Sequence, residues 1–199
     1  AFRKEWGILD DQIVILYSGN MGRKQGLEIL IDAARSFLDV PEMLFLLCGD
    51  GAVRAELEES AQNLSNVRFY PLQPLERLND LLNLADIHIL PQRADAADLV
   101  MPSKLSGILA SGKVVVATAS PESELGSVVS ETGILILPGD VEELSAALLA
   151  LAKDPAQRAV LGKQGREWVC SHWAKEAVLD AFEQELGDVL ESLSKSLIC

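Results

Sequence analysis

Apolar and polar positions along the chain repeat one unit several times: a short β-branched or leucine-rich run, a loop marked by Gly or Pro, then a segment with helical spacing. Runs at residues 13–17, 43–48, 67–70, 87–90, 114–117 and 134–137 predict six strands, because they are short, apolar and bounded by turn residues. Segments at 27–38, 52–64, 74–84, 102–111, 121–130, 141–153, 155–170 and 174–194 predict helices. In the first of these, Leu27, Leu30, Ile31, Ala34 and Leu38 fall on one face, the period expected of a helix packed on a core. Pro74 sits where a missing N–H is harmless, Gly112 is placed to end a helix, and Asp140 is placed to cap the next.

Strands alternating with helices imply parallel βαβ units. Runs such as Val114-Val115-Val116 are apolar on both faces, as strands covered on both sides must be. The fold class expected is therefore α/β: a Rossmann-like doubly wound parallel sheet of six strands, helices on both faces and further helices at the C-terminus, with spatial strand order 3-2-1-4-5-6. In such a sheet ligands bind beyond the carboxyl ends of the strands where the winding reverses, between strands 1 and 4. The loops that follow those strands, residues 19–26 and 91–104, are the two most unusual loops of the chain.

Composition narrows the function. The 199 residues carry 17 Lys plus Arg against 30 Asp plus Glu, a formal net charge of −13. That balance opposes a nucleic-acid binder, which needs clustered basic residues. Hydrophobic residues at 49% suit a globular core. Three cysteines, Cys48, Cys170 and Cys199, make no disulfide framework and point to a reduced, intracellular protein. No run reaches the roughly 18 apolar residues of a membrane span, and residues 1–12 lack the apolar centre of a secretory signal. The chain starts at Ala1, and a piece of a longer protein is expected.

Gly19-Asn20-Met21-Gly22, with Gly26, has the spacing G-x-x-G-x-x-x-G. Such a loop lets backbone approach a ligand and aim N–H groups at an anion where a helix starts. Arg23 and Lys24 add charge beside it. The alternative is a plain βα turn with solvated basic residues. The loop matches neither the dinucleotide fingerprint nor the P-loop. Pro102-Ser103-Lys104 opens a helix after strand 4. Its N-terminus favours a phosphate; the alternative is Ser103 as an ordinary cap and Lys104 in solvent. The two loops at one crevice favour the functional reading. Asp95 and Asp98 lie in the approach to that helix, where a carboxylate suits sugar hydroxyls; solvated loop acids are the alternative. His88 reads as a strand histidine satisfied by backbone rather than a general base. Cys170-x-His172 lacks a matching second pair for zinc and reads as helix-end packing. The acidic C-terminal run has an apolar side (Ala177, Val178, Ala181, Phe182, Leu186, Val189, Leu190) placed to dock on the sheet domain or on a partner.

These residues together carry a family resemblance. The segments Tyr17-Ser18-Gly19-Asn20-Met21-Gly22-Arg23-Lys24-Gln25-Gly26-Leu27-Glu28, Gly49-Asp50-Gly51, Asn66-Val67-Arg68-Phe69-Tyr70-Pro71-Leu72-Gln73, Ala85-Asp86-Ile87, Met101-Pro102-Ser103-Lys104-Leu105, Ala110-Ser111-Gly112-Lys113-Val114-Val115-Val116-Ala117-Thr118 and Pro138-Gly139-Asp140 stand in order over residues 13–149. In order and spacing the chain resembles the C-terminal, donor-binding domain of GT-B glycosyltransferases, within glycosyltransferase family 4, and there the WcaI-like subgroup of colanic acid and other exopolysaccharide synthesis.

The resemblance implies one nucleotide-sugar-binding domain over residues 1–199, of which 155–199 is a helical extension, with the N-terminal acceptor domain missing. It implies a retaining transfer from a GDP- or UDP-sugar to a glycan or lipid-linked saccharide, with neither cofactor nor metal required. The expected location is cytoplasmic, at the inner face of the membrane by peripheral association of the full-length enzyme, and no nucleic acid is expected as partner. The diphosphate would be held by Gly19, Asn20, Gly22, Arg23, Lys24, Ser103, Lys104 and Leu105, the nucleobase region by Pro71, Leu72 and Gln73, and the donor sugar by Asp98; no residue is assigned to catalysis. Departures from the family pattern are present. Its paired Glu positions fall on Leu99 and Gly107, its frequent Arg on Asn20, its usual Lys on Gln25, and its common Pro on Val114. A GT-B-like nucleotide-sugar epimerase and a non-catalytic nucleotide- or protein-binding module are the alternatives, and the fragment alone is expected to be inactive.

Overall fold

The computed structural model describes residues 2–95 and 103–196. A short helix α1 (Phe2–Glu5) precedes six strands: β1 (Ile13–Asn20), β2 (Met43–Asp50), β3 (Val67–Tyr70), β4 (Ile87–Pro91), β5 (Val114–Thr118) and β6 (Ile134–Ile136). Between and after them run α2 (Glu28–Arg35), α3 (Arg54–Ser60), α4 (Leu78–Leu84), α5 (Lys104–Ala110), α6 (Glu124–Thr132), α7 (Val141–Lys153), α8 (Pro155–His172) and α9 (Lys175–Ser196). All strands pair in parallel, in the order β3-β2-β1-β4-β5-β6. This is the doubly wound order expected from the alternation of elements.

Period-two alternation divides the buried strand residues between two layers. Ile15, Tyr17, Phe45, Leu47, Ile87, Ile89, Val114 and Val116 pack with α2, α3 and α7. On the other face Val14, Leu16, Leu44 and Leu46 pack with α1 and α4, while Val115 and Ala117 pack with α5, α6 and α8. The helix α1 had no counterpart among the sequence-derived elements. Phe2 is buried there and Trp6 stacks on Tyr70 at 3.7 Å between ring centroids; Arg3 reaches Asp86 at 2.9 Å.

Helix ends depart from the sequence pattern for local reasons. α2 stops at Arg35, so Phe37 turns into the core and Leu38 is exposed. α6 begins at Glu124 rather than 121, because the Ser123 hydroxyl accepts from the Gly126 N–H and fixes the cap there. Asp140 caps α7 as expected, accepting from the Glu143 N–H at 2.9 Å. On α9, Val178, Phe182 and Leu186 are exposed, so that apolar side is not covered by the described residues of the sheet domain. Among the described residues no helix is long and apolar enough to cross a membrane.

Candidate functional site

The crevice follows from strand pairing. β1 and β4 are in register only at Ile15–Ile87 and Leu16–His88. Beyond that point β1 continues beside β2 as far as Asn20–Asp50, and β4 follows β5 as far as Pro91–Thr118. The two central strands therefore part at Tyr17, at the topological switch point where open α/β sheets bind ligands. Two adjoining hollows fill the gap. One, of about 190 Å³, is lined by Tyr17, Lys24, Gln25, Leu90, Pro91, Gln92, Ser103 and Lys104. The other, of about 380 Å³, is lined by Ser18, Gly19, Leu72, Gln73, Ser103, Lys104 and by apolar residues of α4 and α5. Ser103 and Lys104 belong to both walls.

Lys104 is the centre of this arrangement. Its side chain runs across Gly19, whose φ of +131° suits glycine and whose missing Cβ leaves the space: a methyl there would lie 2.4 Å from Lys104 Cε and 2.6 Å from Nζ. The ammonium donates to the Tyr17 hydroxyl at 2.9 Å and sits 4.5 Å from that ring's centroid. The Tyr17 hydroxyl in turn donates to the Asn20 carbonyl. Burial alone drives the shifts here: it lowers Lys104 to about pKa 8 and raises Tyr17 well above its ordinary value. No carboxylate lines either hollow among the described residues, so the ammonium faces the crevice without a counter-ion.

Of the residues expected to form the site, Gly19, Lys24, Leu72, Gln73, Ser103 and Lys104 come together at the crevice. Ser103 stands at the N-cap of α5 without capping it through its side chain, so its hydroxyl is not committed there. Leu105 is fully buried against the core; the backbone amide is the part of it left to face a ligand. The structure does not bring Arg23 to the crevice. Its guanidinium lies 2.9 Å from Glu56 on α3, drawn off by a carboxylate 33 residues away in sequence. Arg93 is likewise held, by Glu28 at 3.1 Å and Asp95 at 3.0 Å. The local basic pocket therefore contracts to Lys24 and Lys104 among the described residues. Asp98, Leu99 and Pro102 lie outside the described residues.

The first loop is pinned by close backbone approach. A Cβ on Gly49 would meet the Gly19 carbonyl oxygen at 1.8 Å, and one on Gly51 the Met21 carbonyl oxygen at 2.5 Å. The Met21 N–H donates to the Asp50 carbonyl at 2.7 Å, so this amide is not among those that can turn to an anion. Asn20 is exposed. Gly22 leads into a single turn of 3-10 helix, Arg23–Gln25, closed by Gly26 at φ +61°. Gln25, standing at the family's usual Lys, has its Oε1 buried without a hydrogen-bond partner among the described residues. Pro71 is exposed, and its carbonyl accepts from Cys48 Sγ at 3.2 Å and Gln73 Nε2 at 2.9 Å.

Two residues that sequence reasoning left without a role shape this edge. Tyr17 ended a strand pattern, and its hydroxyl signalled nothing by spacing. Arg54, at the start of α3, donates to the carbonyls of Gly49 and Tyr70, bracing the carboxyl ends of β2 and β3. Histidine 88 is a core residue. His88 is fully buried and meets the Leu82 carbonyl through Nε2 at 2.9 Å, and desolvation lowers it to about pKa 4, which holds it neutral near pH 7. His172 stacks on Trp168 at 4.3 Å at the end of α8. Cys48 is buried, and burial pushes its thiol up to about 11. Among the described residues no cluster of three or more His, Cys, Asp or Glu could hold a metal.

The family model described as "Glycosyl transferases group 1" matches residues 1–168. The putative colanic acid biosynthesis glycosyl transferase WcaI of Escherichia coli (strain K12) is 38% identical over 192 residues, covering 94% of this chain and 46% of that protein. A GDP-mannose-dependent monoacylated alpha-(1-6)-phosphatidylinositol monomannoside mannosyltransferase of Corynebacterium glutamicum is 29% identical over 202 residues, covering 96% of this chain and 50% of that protein. The chain thus spans about half the length of the curated relatives it matches. Among solved structures, sucrose-phosphate synthase of Thermosynechococcus elongatus superposes with a TM-score of 0.76 at 27% identity, over 96% of this chain and 48% of that one. Anabaena HepE in complex with UDP-glucose superposes at 0.75 with 19% identity, over 96% and 51%, a likeness of fold. The parallel six-stranded sheet, the family match over most of the chain and the 38% relative together identify this chain as a member of the glycosyl transferases group 1 family, of GT-B fold and WcaI-like.

Proposed function

We propose that this chain is the donor-binding half of a retaining glycosyltransferase of family 4. On this reading the enzyme moves a sugar from a nucleoside-diphosphate sugar to a lipid-linked saccharide in exopolysaccharide or cell-envelope glycan synthesis. The observation that carries the reading is the Lys104 ammonium, laid across Gly19 at the switch point with no carboxylate lining the crevice among the described residues. A partly buried cation without a counter-ion is poised for an anion, and the leaving group of this reaction is a diphosphate whose negative charge grows as the glycosidic bond breaks. Fixed donors aimed at that charge lower the barrier. Lys104 and Lys24 would supply the charge, and the Ser103 hydroxyl and the Lys104 and Leu105 amides hydrogen bonds. Gly19 lies in the wall of the larger hollow, and Asn20 and Gly22 would add contacts from the rest of the first loop. Leu72 and Gln73, in the wall of the larger hollow, with Pro71, would take the base, and Asp98 the sugar. This division of charge calls for no metal ion.

Two relatives support a nucleotide-sugar donor. HepE is described in complex with UDP-glucose and the Corynebacterium mannosyltransferase as GDP-mannose-dependent, so both bases are candidates. The acceptor and any base acting on it would come from an N-terminal domain, and the whole enzyme would work in the cytoplasm against the inner face of the membrane. A thermal-shift panel of GDP, UDP, dTDP and ADP on this chain tests the donor reading. A ligand at 100 times its Kd stabilises by about 2.7 kcal/mol, so one of the four should raise the Tm by several degrees. No shift with any of them at millimolar concentration contradicts the reading.

A further inference from the structure

Tyr17 stands at the point where β1 and β4 part, and its side chain does more than fill the core. It is almost fully buried, yet its hydroxyl is used in both directions: it accepts from Lys104 Nζ at 2.9 Å and donates to the carbonyl of Asn20. This relay joins the only lysine of α5 to the backbone of the first loop, 87 residues apart. The space it needs is reserved by Gly19, where any Cβ would strike the lysine. Around the ammonium stand Tyr17 from β1 and Lys24, Gln25, Gln92 and Gln73 in the walls of the two hollows, and no acid lines those walls among the described residues. Arg23 and Arg93 are turned to Glu56, and to Glu28 and Asp95. Without Tyr17 the ammonium would have no described side-chain acceptor, and a lysine carries several rotatable bonds through which to leave.

We propose that Tyr17 is a positioning residue: by accepting from Lys104 and donating to the Asn20 carbonyl, it presets the cation and the first loop in the geometry that receives the donor diphosphate. The link to binding rests on the donor reading given above, whereas the relay itself does not. Preorganisation of this kind lowers the ordering cost of association. The raised Tyr17 and lowered Lys104 ionisations agree with a buried relay that carries one cation and no anion near neutral pH.

The test is a double-mutant cycle read by calorimetric titration of GDP and of UDP at pH 7, using wild type, Tyr17→Phe, Lys104→Met and the double variant. Tyr17→Phe should weaken the bound nucleotide roughly tenfold in the wild-type background and less than about twofold in the Lys104→Met background. Equal losses in both backgrounds, or no loss in the first, overturn the positioning role. Lys104→Met binding both nucleotides like wild type overturns the donor reading instead, and the link to binding with it. A second measurement needs no substitution. In the unaltered chain, the Tyr17 Cζ chemical shift should move with pH at the same midpoint as the Lys104 Cε shift, because the two groups share a hydrogen bond. A Tyr17 profile that stays flat across the Lys104 titration overturns the relay whether or not Tyr17→Phe folds.

Discussion

Replacing Gly19 with Ala separates the backbone role of this glycine from its service to Lys104. At φ +131° an L-residue is strained, at a cost of about 1–3 kcal/mol. The new methyl would also lie 2.4 Å from Lys104 Cε and 3.2 Å from Cδ. Both atoms belong to the far part of a flexible side chain, so the overlap is relieved by moving the lysine, and the stability loss should stay within the backbone figure. The moved ammonium, however, leaves Tyr17 and the crevice. A hydrogen bond to a charged group is worth about 1.5–3 kcal/mol, which corresponds to roughly 10- to 150-fold in affinity. Urea unfolding and nucleotide calorimetry on the same preparation measure the two effects apart. Gly7→Ala is the control, since Gly7 has φ +59° and no heavy atom within 4 Å of a new Cβ; it should cost stability and leave binding alone. If Gly19→Ala binds nucleoside diphosphate as tightly as wild type, the placement of Lys104 across Gly19 is irrelevant to the site and the reasoning fails.

Gly49→Ala meets backbone instead, 1.8 Å from the Gly19 carbonyl oxygen, and should cost at least about 3 kcal/mol in urea unfolding; a loss under 1 kcal/mol would show the two loops are not so closely apposed. Arg23→Ala removes a guanidinium already engaged by Glu56 on the surface, so nucleotide affinity should change less than about twofold by calorimetry, and a tenfold loss would return Arg23 to the site. His88 has its folded pKa depressed from 6.5 to about 4 by burial. Its contribution to stability is therefore complete above about pH 6.5 and is lost as pH falls from there towards 4, because only the unfolded state takes up the proton in that window. The loss amounts to up to about 3 kcal/mol. Urea unfolding of His88→Gln should lack this acid limb, and an unchanged limb would assign it elsewhere.

The sheet was legible because its strands are short, apolar on both faces and separated by helical spacing, which left one topology in favour. The switch-point rule then puts the crevice between strands 1 and 4 from the sequence alone. What escaped depended on distant partners. The α2 end at Arg35 exchanges Phe37 for Leu38 in the core, a choice set by packing and not by the periodicity that Leu38 continued. The short helix α1 exists through Phe2, Trp6 and Tyr70 meeting across the sheet face. The position of Gly19, Ser103 and Lys104 at the crevice could be read because loop glycines after a strand and a Ser-Lys at a helix start are local signals. The Arg23–Glu56 pair and the Tyr17–Lys104 relay span 33 and 87 residues, and no local pattern records either. Of the three cations that the sequence gathers at the crevice, Arg23, Lys24 and Lys104, two lysines remain there, because Glu56 claims the arginine.

The central claim is that Lys104 anchors the diphosphate of a nucleotide-sugar donor. Calorimetric titration of GDP and UDP into wild type and Lys104→Ala at pH 7 tests it most directly. The account expects measurable binding of at least one nucleotide to the wild-type chain and a loss of about 1.5–3 kcal/mol on truncation, with the wild-type affinity itself falling as pH rises past about 8. Equal affinity of the two proteins for both nucleotides, with the same dependence on pH, would contradict it.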